Sequence, residues 1–181
     1  MPADVVDLIM QDHREVERLF DELQKHPEKR RNLVPVLATL MTAHSRAEEA
    51  EVYPVARREA GEVEEIAHSQ EEHAQAEQLL AQLTAADPES AQFERLLTQV
   101  QEMITQHVAE EESMVLPAMR QRLTEKRLAE LADAFATSRA RHLGAMPGDL
   151  TKEELQLQAS NLGVRGASSM SKAELERQLK S

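Results

Sequence analysis

Ala, Leu, Glu, Gln and Arg dominate these 181 residues and only 5 are Gly, which suits one helical core with a small appendage. The absence of cysteine excludes disulfides, thiolate metal sites and cysteine nucleophiles, so any metal must be held by nitrogen and oxygen. A formal net charge of -12 argues against a generally basic nucleic-acid surface, and no apolar run approaches the roughly 20 residues of a membrane span, so a soluble, cytoplasmic protein is expected.

The charge is uneven. From position 149 onward five Lys/Arg balance five Asp/Glu, so the acidic excess lies in the first 148 residues and the chain reads as two parts. A first helix is expected from about Asp4 to Lys25, with Ile9, His13, Val16, Phe20 and Leu23 at helical spacing and His13 in the middle of the stripe. Residues 26–31 read as a loop, where His26 suits capping or exposure.

The second helix is expected over about 31–58, carrying Leu33, Leu37, Leu40, His44, Glu48 and Val52 or Val55 on one face. Pro35 fits only in its first turn, and Pro54 should kink or end it. A turn at Gly61 leads to a third helix over about 62–83 with Ile66, His73 and Leu80 in register; His68 falls at its edge. Asp87-Pro88 is expected to open a fourth helix that runs to about Arg122 through Phe93, Leu97, Val100, Ile104, His107, Glu111 and Met114. Thr124 caps a short fifth helix ending near His142, whose imidazole suits the negative end of the helix dipole. Residues 143–149 are a linker. Two capping boxes, Thr151 with Glu154 and Ser171 with Glu174, then open two short helices joined by an extended stretch over 150–181.

One pattern occurs twice, from His44 through Glu48 to Pro54 and from His107 through Glu111 to Pro117. Residues four apart on a helix lie on one face, about 6 Å apart along the axis, so each pair can grip one metal or reach to a second. Four successive helices each place one histidine in an apolar stripe: His13, His44, His73 and His107. Two buried glutamates would be costly without a cation. Counted from Gly61, Glu48 and His73 are level, whereas His73 and His107, counted from about residue 86, differ by roughly 12 Å of helical rise. Four imidazoles and two carboxylates exceed one tetrahedral structural zinc and are too rich in nitrogen for calcium or magnesium. Two metals bridged by the glutamates fit better, with iron the natural occupant and manganese or zinc as alternatives.

At these residues the chain closely resembles the hemerythrin-like, or HHE cation-binding, family. The resemblance covers about residues 4–122: a His on helix one, H-x-x-x-E on helix two, a His on helix three and H-x-x-x-E on helix four, with the Glu-Glu doublets and the Tyr53-Pro54 and Leu116-Pro117 ends. It implies an all-α, up-down four-helix bundle, here 1–142 with the short fifth helix, holding an oxo- or hydroxo-bridged pair of irons. The implied metal ligands are His13, His44, Glu48, His73, His107 and Glu111, with Glu48 and Glu111 as bridges. Where oxygen-carrying hemerythrins have a second histidine on helix three, this chain has Glu77, and their last carboxylate stands one residue further from its histidine. Reversible oxygen carriage is therefore not implied; Glu77 either ligates, leaves a position open to peroxide, oxygen or nitric oxide, or is simply solvated. Tyr53 reads as a donor to a ligand or a packing residue before it reads as a ligand.

Residues 150–181 resemble the helix-extended-helix domain at the N-terminus of transcription termination factor Rho and related SAP-like modules, through Leu150-Thr-Lys-Glu-Glu-Leu, Asn161-Leu-Gly-Val-Arg-Gly and Met170-Ser-Lys-Ala-Glu-Leu. That implies an accompaniment to nucleic-acid binding. The unit is charge-neutral without an aromatic residue, so phosphate contact through Arg165, Lys172, Arg177 and Lys180 would be weak and a docking role comes first. Three functions are expected: a di-iron protein that binds or reacts with O2, peroxide or NO in sensing, scavenging or iron handling; a peroxide-decomposing enzyme on the same site; or an interaction protein with a zinc-filled or empty site and a docking tail.

Overall fold

The protein is described by a computed structural model covering residues 3–180, and among them there is no strand. Four long helical stretches run up and down. The first is α1 (Val5–Lys25), opened by a reciprocal capping box between Asp4 and Asp7. The second starts as α2 (Arg30–Ala47) after a 3-10 turn at Pro27–Lys29, and continues through a π segment (Glu48–Val52), one α turn, α3 (Tyr53–Val55), and a second π segment (Ala56–Ala60). Gly61, at φ 80°, ends it in the left-handed conformation that glycine adopts without strain. The third is α4 (Val63–Ala85). The fourth combines α5 (Ala91–Glu110), a π segment (Glu111–Val115) and α6 (Leu116–Arg122). The fifth helix, α7 (Glu125–His142), packs on α1 and α2. Beyond it α8 (Lys152–Asn161) and α9 (Lys172–Leu179) pack on each other, each opened by the expected capping box.

Three expectations about boundaries need correction. Pro54 neither ends nor breaks its helix. It follows a π turn in which the Tyr53 N–H donates to Glu48 O, five residues back, and Pro117 follows the matching turn in which the Leu116 N–H donates to Glu111 O. A proline ring clashes with the carbonyl four residues before it, and a widened turn makes room for that carbonyl. Pro35 lies inside α2, beyond its first turn, where the carbonyl it leaves without a donor belongs to exposed Arg31. Asp87 and Pro88 belong to a turn; Ser90 is the actual cap of α5, its Oγ accepting from Phe93 N at 3.1 Å.

The bundle core has two apolar layers. One holds Val16, Phe20, Leu37, Leu80, Phe93 and Val100. The other holds Ile9, Val52, Ile66, Leu116, Leu131 and Phe135, so α7 closes that end. On α1 the layers meet between Ile9 and Val16, and on the fourth stretch between Val108 of α5 and Val115 of the π segment. The intervening level is polar. A third, small cluster of Leu155, Ala159, Ala167 and Leu175 sits between α8 and α9.

Candidate metal centre

Six buried side chains converge at that level: His13, His44, Glu48, His73, His107 and Glu111. They form two groups, His13, His44, Glu48 and Glu111 in one and Glu48, His73 and His107 in the other, each with its nitrogen and oxygen atoms within 4.8 Å of one another. Glu48 is common to both. Its Oε2 lies 3.2 Å from His44 Nε2 and 3.4 Å from His73 Nε2, and Glu111 Oε2 lies 3.3 Å from His13 Nε2. The expected misalignment of His73 and His107 does not materialise: their Nε2 atoms are 3.0 Å apart. The connection between α4 and α5 spans residues 86–90, so measured from the helix ends the two histidines differ by about 6 Å of rise, half the figure obtained from a single turning point.

Each histidine directs Nε2 inward and ties Nδ1 to a carboxylate. His13 Nδ1 meets Glu112 Oε1 at 2.8 Å, His44 Nδ1 meets Asp12 Oδ2 at 3.0 Å, His73 Nδ1 meets Glu49 Oε1 at 3.2 Å and His107 Nδ1 meets Glu72 Oε2 at 2.8 Å. An acceptor at Nδ1 puts the proton there and leaves the Nε2 lone pair free, which is how metal-binding imidazoles are oriented. The four acids form a ring. Asp12 on α1 serves α2, Glu49 after α2 serves α4, Glu72 on α4 serves α5, and Glu112 after α5 serves α1.

Sequence reasoning missed these acids, although a signal was present. Asp12 and Glu72 immediately precede a converging histidine, whereas Glu49 and Glu112 immediately follow a converging glutamate. One residue is about 100° of helix rotation. Because neighbouring helices run in opposite directions, stepping back on one and forward on the next displaces every acid to the same side, toward the following helix.

The donor set fits a cation. His13 Nε2 and all four oxygens of Glu48 and Glu111 are buried without a hydrogen bond. Buried polar atoms are nearly always partnered, so five such atoms facing one space are what bound metal would satisfy. Protons divide the site unevenly. Burial works against a charged His44, but Glu48 and Asp12 outweigh it and push its pKa up to about 10. Burial and the neighbouring His107 drive His73 down to about 3 despite Glu48 and Glu111. Burial alone would raise Glu111, yet His13, His107 and His44 pull it down to about 2.

Residues 4–119 match the hemerythrin HHE cation-binding domain, a stretch that includes all six converging side chains and all four supporting acids. The chain belongs to the hemerythrin HHE cation-binding family. Family membership makes this a metal-ion-binding protein. A hemerythrin HHE cation-binding domain-containing protein from Mycobacterium kansasii has the same fold, at a TM-score of 0.69 and 21% identity over 91% of this chain and 96% of that one. A DNA nickase from a Nostoc species is 29% identical over 149 residues. Those residues are 81% of this HHE chain and 42% of the nickase, so the chain spans less than half of that relative.

Of the remaining candidates, Tyr53 alone adjoins the converging side chains. Glu77 is in neither group; its Oε1 accepts from Arg46 and from the Gly148 N–H, both at 2.8 Å. Tyr53 is fully buried, stacks on His73 and places its hydroxyl 3.0 Å from His73 Nε2. Burial and then Glu48, Glu111 and Glu49 hold its pKa well above the ordinary phenol value, so it stays protonated. His68 is half exposed and meets Glu110 and Glu72 at the surface. His26 pairs with Glu28, and His142 bonds Ser138 O and faces Glu154. No described helix is long and apolar enough to cross a membrane.

Proposed function

We propose that this HHE protein is a non-haem di-iron protein that binds or reacts with O2, peroxide or NO. The observation that carries the reading is the sharing of Glu48 between two groups of inward-facing nitrogen and oxygen atoms. One carboxylate common to two sites is what a bridged metal pair requires, and imidazole with carboxylate suits iron. His13, His44 and Glu111 would complete one position and His73 and His107 the other; Glu111, expected to bridge as well, groups with the first position alone.

The two positions are unequal. The group around His73 and His107 has one protein ligand fewer, and Glu77, held by Arg46 and Gly148, does not make up the difference. That position is where a small ligand would enter. When bound, iron supplies an open coordination site and one-electron redox chemistry. The chain's own part is to exclude water by burial, to fix each imidazole through its Nδ1 carboxylate, and to present the protonated Tyr53 hydroxyl beside His73 Nε2. Tyr53 can thus donate a hydrogen bond to whatever binds there.

The test is elemental analysis of protein grown with iron, together with its visible spectrum before and after peroxide. Close to two irons per chain with a peroxide-sensitive band supports the reading. Zinc or no metal, with an unchanged spectrum, sinks it. Peroxide consumption that disappears with the iron would make the protein an enzyme, and a stable reversible oxygen spectrum would make it a binder.

A further inference from the structure

The last helices do not stand apart from the bundle: α8 lies against the π segment Glu48–Val52 and against α4. Their contact is polar and closed to solvent. Gln158 Nε2 donates to Glu49 Oε2 at 3.2 Å, and Asn161 Nδ2 is 3.0 Å from both Glu49 O and Gln70 Oε1. Gln70 in turn donates through Nε2 to Glu49 Oε1 at 2.8 Å, the same oxygen that meets His73 Nδ1. Gln158, Asn161, Gln70 and Glu49 are each no more than 3% exposed.

The direction of these bonds matters. A buried carboxylate left with only His73 as donor would be free to rotate, and Gln70 could turn its amide either way. Asn161 donates to Gln70 Oε1 and so keeps the Gln70 NH2 on Glu49. Gln158 occupies the opposite oxygen. Together they hold the Glu49 carboxylate in one orientation, and through it the imidazole of His73.

We propose that Gln158 and Asn161 are positioning residues for the metal position built on His73, making α8 part of the metal centre's support. The proposal rests on the di-metal reading above. Groups that orient metal ligands typically change affinity by roughly 10–100-fold when removed. The loss should fall on one of the two positions, because none of these bonds reaches His13 or His44. Binding linkage also requires the reciprocal effect: metal must hold α8 down by the same factor.

The experiment uses the full chain, Co2+ and Fe2+ as probes, and the variants Gln158→Met, Asn161→Leu, Glu154→Gln and Glu49→Gln. Glu154 pairs with Arg46 at 3.3 Å and secures α8 without touching Glu49, so it controls for general loosening. Wild-type protein should take up two ions. Gln158→Met should retain one and bind the second about tenfold or more weakly, with helicity by circular dichroism unchanged, whereas Glu154→Gln should keep both. Adding Gln158→Met to Glu49→Gln should cost nothing further, because the path runs through Glu49. Hydrogen exchange of the 152–161 amides in wild-type protein should slow on metal addition by about the same factor. If Asn161→Leu or Gln158→Met unfolds α8, the exchange measurement on wild-type protein still decides. Unchanged second-site affinity in Gln158→Met, an equal loss in Glu154→Gln, or exchange indifferent to metal would each overturn the proposal. Failure of the wild-type protein to bind two ions would instead overturn the di-metal reading itself.

Discussion

Asp12 is next to His13 in the chain but supports His44, its Oδ2 3.0 Å from that imidazole's Nδ1 while Arg139 holds its other oxygen. Asp12→Asn can keep the packing and Arg139 contact but loses the charge that favours an Nδ1 proton. Metal affinity at the His13 and His44 position should fall about 10–100-fold, read by competition with a chromophoric chelator. Wild-type affinity in that variant would show that the ring of acids is ornamental.

Glu48→Ala removes the one carboxylate common to both groups. Iron loading should drop from two ions per chain to one or none, while helicity is largely kept because the change lies within a helical stretch. Two irons in the variant would refute the shared role.

Tyr53→Phe deletes only a hydroxyl, 3.0 Å from His73 Nε2. Iron content should be unchanged, but the lifetime or formation rate of the peroxide-induced spectrum should shift by about tenfold, the effect of one hydrogen bond of roughly 1–1.5 kcal/mol. Stopped-flow absorbance makes the comparison, and a change in iron content instead would mark Tyr53 as a ligand.

Phe135 is buried on α7 with its ring edge-on to His44, the centroids 5.8 Å apart. Phe135→Ala should destabilise the metal-free protein by about 3–5 kcal/mol through the cavity it leaves. Urea denaturation provides the number, and a loss below about 1 kcal/mol would mean that α7 is a loose cover.

Acidification should release α8. Burial pushes the Glu154 carboxyl up, but the Thr151 N–H, Arg46 and His142 outweigh it and hold it below its ordinary 4.5. Because the folded value is the lower one, its contribution is complete above about 4.5 and is lost as pH falls through the depressed folded value. Protection of the 152–161 amides, measured against the intrinsic exchange rate at each pH, should therefore fall below about pH 4.5 in the wild-type protein. Glu154→Gln should flatten that dependence; an identical profile would place the acid sensitivity elsewhere.

Much of this was readable in advance, for a physical reason. Hydrophobic period 3.6 marks a helix and its inward face, so a histidine at position 13, 44, 73 or 107 betrays itself by occupying a place where leucine is expected. Packing order was readable too, since short connections leave adjacent helices antiparallel. The π turns were not, because Pro54 and Pro117 are equally consistent with a kink, a stop or a widened turn. Nor were the long-range partners: that Asp12 meets His44 or Asn161 meets Gln70 depends on rotation and rise of whole helices, which local sequence does not specify. Glu77 shows the limit most plainly, since its partner Arg46 is two residues from His44 yet turned away from the site.

The ring of acids also bears on topology. Four amphipathic helices with histidine-bearing stripes could wind up and down in a left-turning or a right-turning order and bury the same apolar surface either way. In the mirror arrangement Asp12, Glu49, Glu72 and Glu112 would each lean toward the wrong neighbour, leaving the buried Asp12, Glu49 and Glu72 without their imidazoles and all four imidazoles free to flip. The acids thus select one hand for the bundle as well as one tautomer for each histidine, a choice the apolar layers alone cannot make.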